Sequence, residues 1–167
     1  MLKFRDATIQ DLEKIVEIYN TTIAGRMVTA DVEPIKTSDR TRWFYEHTPD
    51  KRPLWMVENE ENEENELIGW VSFQSFYGRP AYDATAEISI YLDPEKRGQG
   101  YGKRVLQYAM SQANNYGITT ILGFIFAHNA PSIELFLKLG FEEWANLKNI
   151  AVLDGVERSL KILGKRL

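Results

Sequence analysis

The residues best suited to chemistry lie in one short run, Arg97-Gly98-Gln99-Gly100-Tyr101-Gly102-Lys103, where three glycines alternate between cationic ends. Glycine tolerates positive φ and lets the backbone approach a ligand without a Cβ in the way. Val105-Leu106 and Ala109-Met110 then recur at helical steps, so the free amides of the loop fall at a helix N-terminus, where the macrodipole favours anions. The expected ligand is a pyrophosphate. A Walker A loop is excluded, because Gly102-Lys103 is followed by Arg104 and offers no hydroxyl for magnesium. A dinucleotide fingerprint is excluded by spacing, since Gly102 follows Gly98-Gln99-Gly100 too closely.

The segment feeding this loop, Ala86 to Asp93, alternates as a strand, with Glu87, Ser89 and Tyr91 on one face and Ile88, Ile90 and Leu92 on the other. Glu87 is thereby a carboxylate on the wet face of a strand that leads to a phosphate site. A carboxylate so placed could deprotonate a ligand ammonium, whose pKa is ~10, before its nitrogen reacts. A carboxylate in a half-buried cleft has its pKa raised toward the range where it can take that proton. The alternative for Glu87 is a solvated strand carboxylate.

A second segment follows the loop: Phe126-Ala127-His128-Asn129-Ala130-Pro131-Ser132, then an apolar helix to Leu139-Gly140-Phe141. Asn129 and Ser132 read as helix caps. Taken with the Arg-x-x-Gly-x-Gly pattern at Arg97, this pair of signatures resembles the GNAT N-acetyltransferase superfamily. Ile18-Tyr19-Asn20, Glu33-Pro34, Gly78-Arg79-Pro80-Ala81-Tyr82 and Glu87 extend the resemblance to its phosphinothricin and methionine sulfoximine acetyltransferase branch, over nearly the whole chain.

The resemblance implies acetyl-CoA as co-substrate and no metal. Its pantetheine would bond to backbone groups of Ile90, Tyr91 and Leu92. Its pyrophosphate would rest on the loop from Arg97 through Gly98, Gln99, Gly100, Tyr101 and Gly102 to Lys103. Asn129 would meet the pantetheine or a catalytic water, and Ser132 the phosphates. Glu87 would be the base, and a main-chain N–H near Leu92 would hold the developing oxyanion. Arg79 could hold a substrate carboxylate, or simply be a loop arginine in water; Tyr82, Arg26 and Thr29 are further acceptor-side candidates. The chain departs from the family in two places. Met27-Val28-Thr29-Ala30-Asp31 replaces a Thr-x-Thr-x-Phe-like segment, and Phe136 stands where many members carry a proton-donating Tyr. A thiol has a pKa of about 8.5, so its thiolate can leave without a dedicated acid. The acid stays unassigned, with Tyr82 and Tyr91 as candidates, and His128 has no assigned role.

The function implied is transfer of an acetyl group to the primary amine of an amino-acid-like acceptor by direct attack in a ternary complex. A protein N-terminal or lysine acetyltransferase and a catalytically idle acyl-CoA-binding module are the competing readings. The resemblance also suggests a homodimer.

With 167 residues and 44% apolar content, one domain spanning residues 1–167 can bury a full core. A net charge of −4 and a sequence pI near 5.3 argue against nucleic acid as partner. The absence of cysteine excludes disulfides, thiolate zinc sites and a Cys nucleophile, and two histidines are few for a metal site. No apolar leader or membrane-length stretch is present, which favours a cytoplasmic protein away from membranes.

The elements needed to position these groups are legible as a strand at Leu2–Phe4 and a helix from Thr8 to Gly25 with the stripe Ile9, Leu12, Val16, Tyr19 and Ile23. A helix capped by Thr37, strands at 54–57 and 67–76 joined by an acidic loop at 58–66, and the strand at 86–93 follow. A helix to Tyr116 then precedes a strand at 119–126, a helix to Leu139, and strands at 141–145 and 157–163 joined through Asp154-Gly155. This alternation predicts an α/β fold. The resemblance refines it to a mixed, mostly antiparallel sheet with splayed central strands and flanking helices.

Overall fold

The computed structural model describes residues 1–61 and 65–167. In chain order the elements are β1 (Leu2–Asp6), α1 (Leu12–Asn20), α2 (Thr41–Tyr45), β2 (Leu54–Asn59), β3 (Glu66–Ser75), β4 (Thr85–Leu92) and α3 (Tyr101–Gln112). β5 (Thr120–Phe126), α4 (Ala130–Lys138), β6 (Glu142–Leu153) and β7 (Val156–Arg166) complete the chain. The strands form a seven-stranded sheet in the order β1-β2-β3-β4-β5-β7-β6. Every neighbouring pair is antiparallel except β4 and β5.

That parallel pair is where the sheet opens. β4 and β5 are in register only from Thr85↔Thr120 to Glu87↔Leu122. Beyond Glu87, β4 stays on β3 as far as Gly69↔Leu92, while β5 stays on β7 as far as Phe126↔Leu160. Each strand leaves with its outer neighbour, so the gap widens toward the α3 loop. Gly69 secures the β4 side: a Cβ there would lie 2.2 Å from the Tyr91 carbonyl oxygen, so only glycine allows β3 this close. The β3–β4 register has no shift, and Glu87, Ser89 and Tyr91 share a face as alternation predicts.

Both faces of the sheet are covered. Ala86 and Ile88 of β4 pack with Val57, Phe73 and Ile121 beneath Val105, Leu106 and Ala109 of α3 and Phe136 of α4. On the other face, Ile15, Ile18 and Tyr19 of α1 close over Met56 and Trp70, with Trp43 and Phe44 of α2 at the edge. Burying each such side chain contributes on the order of 1.5–3 kcal/mol.

Four expectations need correction. Ile9 is not on the buried stripe but 39% exposed, because the first turn, Ile9–Asp11, is a 3-10 turn that rotates it outward; Ile15 and Ile18 take the buried positions. The acidic run is not wholly loop. Glu58 and Asn59 end β2 and are buried, and Arg5 Nε donates to Glu58 at 2.7 Å while its other N–H groups grip Asp11 at 2.8 and 2.9 Å. The middle of that run, 62–64, lies outside the described residues. The helix expected to reach Tyr116 ends as a 3-10 turn, Ala113–Tyr116, before Gly117 at φ 69. β6 runs on to Leu153, well past Ala145, and turns through Asp154 and Gly155, both at positive φ, into β7. Among the described residues no helix is long and apolar enough to cross a membrane.

Candidate active site

The gap between β4 and β5 is a cavity of about 940 Å³. One wall is Ile90, Tyr91 and Leu92, the other Phe124, Ile125 and Phe126, and the far end is the loop before α3. The loop is built as its glycines predict. Gly98 (φ 72) and Gly100 (φ 80) take left-handed conformations, and a Cβ at either would meet nothing within 4 Å, so their backbones face open space. Gly100 caps α3, whose first-turn amides and positive dipole end therefore look into the cavity. Gly102 and Lys103 line it as well.

Arg97 lines the cavity with its side chain already committed: it donates to the Leu92 carbonyl at 3.2 Å and to Thr21 Oγ1 at 2.9 Å, tying the loop to β4 and to the end of α1. Gln99 and Tyr101 are not among the lining residues. Gln99 Nε2 donates back to the Glu95 carbonyl at 2.7 Å, and Tyr101 packs against the core beneath α3.

At the opposite rim, Asn129 and Ser132 line the cavity and also cap α4: Asn129 Oδ1 accepts from the Ser132 N–H at 3.4 Å. Asn129 Nδ2 donates to the Met27 carbonyl at 3.2 Å, and His128 Nε2 donates to the Arg26 carbonyl at 2.7 Å. A carbonyl only accepts, so His128 carries its proton on Nε2. Both residues thus hold the segment after α1 against the cavity, which gives His128 a structural place. Thr29 is buried, lines the cavity and bonds to the Tyr19 hydroxyl, which also donates to Asp31.

The other acceptor-side candidates lie elsewhere. The Arg26 guanidinium is spent on Asp154 (2.8 and 3.2 Å) and on the Val32 carbonyl (2.8 Å), anchoring the β6–β7 turn rather than facing a ligand. Arg79 and Tyr82 are exposed on the turn between β3 and β4 and line neither cavity described here; Tyr82 packs with Phe76 and Tyr77. Phe136 lines the cavity with its ring over Gly123, where a Cβ would be 2.6 Å from it.

A second, smaller cavity of about 170 Å³ lies on the α1–α2 side of β4, bounded by Tyr19, Arg40, Trp43, Trp70 and Gln74. Glu87, Ser89 and Tyr91 line both cavities. Glu87 therefore stands at the junction, in the last residue pair that holds β4 to β5. Burial raises its carboxyl pKa, and among the described residues no side chain hydrogen-bonds to it. Its lone pairs are available to a ligand. Tyr91 stacks on Trp70 at 4.5 Å, and burial, reinforced by the charge of Tyr19, pushes its hydroxyl pKa far up, so it keeps its proton. In sequence, Tyr19, Trp43 and Trp70 fall on helices and strands with no mark of a site, and Arg40 and Gln74 carry no local signal.

Residues 12–141 match the model of the Acetyltransferase (GNAT) family. The chain belongs to that family. It is 50% identical over 99% of both chains to the Bacillus subtilis protein named "Putative phosphinothricin acetyltransferase YwnH". It is 28% identical, over 83% of this chain and 78% of the relative, to the L-methionine sulfoximine/L-methionine sulfone acetyltransferase of Pseudomonas aeruginosa. The solved GNAT superfamily phosphinothricin acetyltransferase of Sinorhizobium meliloti, in complex with acetyl-CoA, superimposes with a TM-score of 0.89 at 28% identity, covering 99% of this chain and 88% of that one. The GNAT chain is thus an acetyltransferase whose open sheet and glycine-rich α3 loop suit acetyl-CoA as co-substrate.

Proposed function

We propose that this GNAT enzyme moves the acetyl group of acetyl-CoA to the primary amine of a small amino-acid-like acceptor of the phosphinothricin, methionine sulfoximine or methionine sulfone type. The observation that carries the reading is Glu87, a half-buried carboxylate with no partner among the described residues, shared by a long cavity that suits a pantetheine arm and a small one that suits an amine. The coenzyme's diphosphate rests on the α3 loop at Gly98, Gly100, Gly102 and Lys103. Its pantetheine runs along the free edge of β4 at Ile90, Tyr91 and Leu92, with Asn129 and Ser132 at the opposite rim.

Glu87 takes a proton from the acceptor ammonium, directly or through water, and its burial supports this by raising its proton affinity. The neutral amine then attacks the thioester carbonyl. The oxyanion is held by main-chain N–H near Leu92, the cationic nitrogen of the tetrahedral adduct gives its extra proton to solvent, and the adduct collapses with cleavage of the C–S bond. The sulfur leaves as thiolate and is protonated from solvent, a route open to a thiol with a pKa near 8.5 and consistent with phenylalanine at position 136.

Residues 1–167 act as one catalytic domain, in the cytoplasm, without nucleic acid or membrane as partner. The assembly is a homodimer. β6 is the edge strand of the sheet and, with the β7 turn, exposes Trp144, Leu147, Ile150, Val152 and Val156, an apolar edge of the kind a second copy covers.

An acceptor panel in a thiol-release assay tests the reading. Amino-acid-like amines should give turnover well above acetyl-CoA hydrolysis. Turnover only with peptide N-termini or lysines would favour the protein acetyltransferase, and hydrolysis-level rates with every amine would favour the idle binding module.

A further inference from the structure

The small cavity holds one cation among its described lining residues, Arg40, at the end of the 3-10 turn Thr37–Arg40 that leads into α2. Its guanidinium lies 4.7 Å from the centre of the Tyr19 ring and 5.5 Å from that of Trp43. Contacts with aromatic faces hold a guanidinium in place without consuming its N–H donors. Its hydrogen-bonding capacity is open: among the described residues the Arg40 side chain makes no hydrogen bond, and its ion pair with Asp31, at 3.6 Å, is too long to be one, Asp31 being engaged by the Tyr19 hydroxyl. Its side chain is 28% exposed. The other arginines weighed for such a role differ, since Arg26 is saturated by Asp154 and Arg79 sits away from the cavity.

A half-buried guanidinium with free donors is a receptor for a planar oxyanion, which it binds in bidentate fashion. Within the same cavity, Trp43, Trp70 and Tyr91 offer apolar surface, and Glu87 awaits an ammonium. We propose that Arg40 is the specificity-determining anchor for the carboxylate of the acceptor, so that the enzyme selects amines bearing an α-carboxylate and orients them with nitrogen toward Glu87. This rests on the proposed function.

The test is steady-state kinetics of the parent, Arg40→Gln and Arg40→Lys with L-methionine sulfone and with its methyl ester, comparing each variant with the parent on each acceptor. Loss of a charge-assisted bidentate contact should raise KM for the free acid about 10- to 100-fold in Arg40→Gln, with kcat little changed. Arg40→Lys should recover part of this, because it keeps the charge and loses the fork. KM for acetyl-CoA should be unchanged in both, which shows the fold intact. KM for the ester should be the same in parent and variant, a result that a merely structural Arg40 would not give.

If the parent acetylates the free acid but Arg40→Gln leaves its KM unaltered, or raises acid and ester KM equally, the anchor is wrong while the proposed function stands. If the parent neither acetylates carboxylate-bearing amines nor binds L-methionine sulfone calorimetrically in the presence of CoA, the anchor and the amino-acid-like acceptor fall together.

Discussion

Glu87→Gln separates proton acceptance from shape. The substitution keeps the volume and one carbonyl oxygen of the side chain, and no ion pair or hydrogen bond among the described residues is lost with it. The effect on rate is therefore that of removing the base: a fall of about 10²-fold or more at neutral pH, equivalent to ~2.7 kcal/mol of barrier. Stability moves the other way. Burial raises the folded-state pKa of Glu87, so its favourable contribution is present below the unfolded carboxylate range, near pH ~4.3, and is lost as pH rises through the folded value. Above that value the parent carries a half-buried carboxylate with no partner among the described residues, and the glutamine variant should melt at the same temperature or higher, the gain disappearing in acid. Thiol release and thermal melts measured from about pH 4 to about pH 9 read both effects. The parent rate should fall as pH drops through the raised Glu87 pKa, and the variant should lack that limb. Acceptors of low amine pKa should lose less rate than ordinary alkylamines. Equal turnover across the range would rule Glu87 out as the base, and a loss of stability alongside activity would make it a structural residue.

Gly102→Trp should weaken acetyl-CoA binding at least about 100-fold by calorimetry with little change in melting temperature. The position has ordinary helical φ, its Cβ would meet only Leu135 and Leu92 side chains at 3.4 and 3.8 Å, and a new indole would fill the space at the phosphate end. Gly100→Ala should instead cost about 1–2 kcal/mol of stability, because Gly100 sits at φ 80. Arg5→Met should shift acid unfolding to higher pH. Hydrogen bonding from Arg5 lowers the Asp11 pKa from 3.8 to about 2, so this contribution is present above the unfolded value and lost as pH falls through the folded one.

Where local chemistry dictates geometry, the sequence was a good guide. Gly98 and Gly100 announce positive φ, Asn129 announces a cap, Asp154-Gly155 announces a tight hairpin, and the alternation around Glu87 sorts its neighbours onto two faces. The misses have a common cause in tertiary context. β6 is an edge strand whose exposed residues alternate weakly, so its length cannot be read from burial patterning. Glu58 resembles its acidic neighbours until Arg5, far away in sequence, pairs with it. Arg26 is a candidate in sequence and Arg40 is not, although both carry the same side chain. Only the fold brings Asp154 to the first and leaves the donors of the second free. The smaller cavity is illegible in sequence for the same reason, since its walls come from α1, α2, β3 and β4.

The central claim is that acetyl-CoA lies in the gap between β4 and β5 and reacts where that gap meets the small cavity at Glu87. A crystal structure of the enzyme with CoA and an amino-acid acceptor tests it most directly. The account predicts the diphosphate on the Gly98–Gly102 backbone, pantetheine beside Ile90 to Leu92, and the sulfur and the amine nitrogen meeting at Glu87. Coenzyme bound elsewhere, or an acceptor amine remote from Glu87, would contradict it.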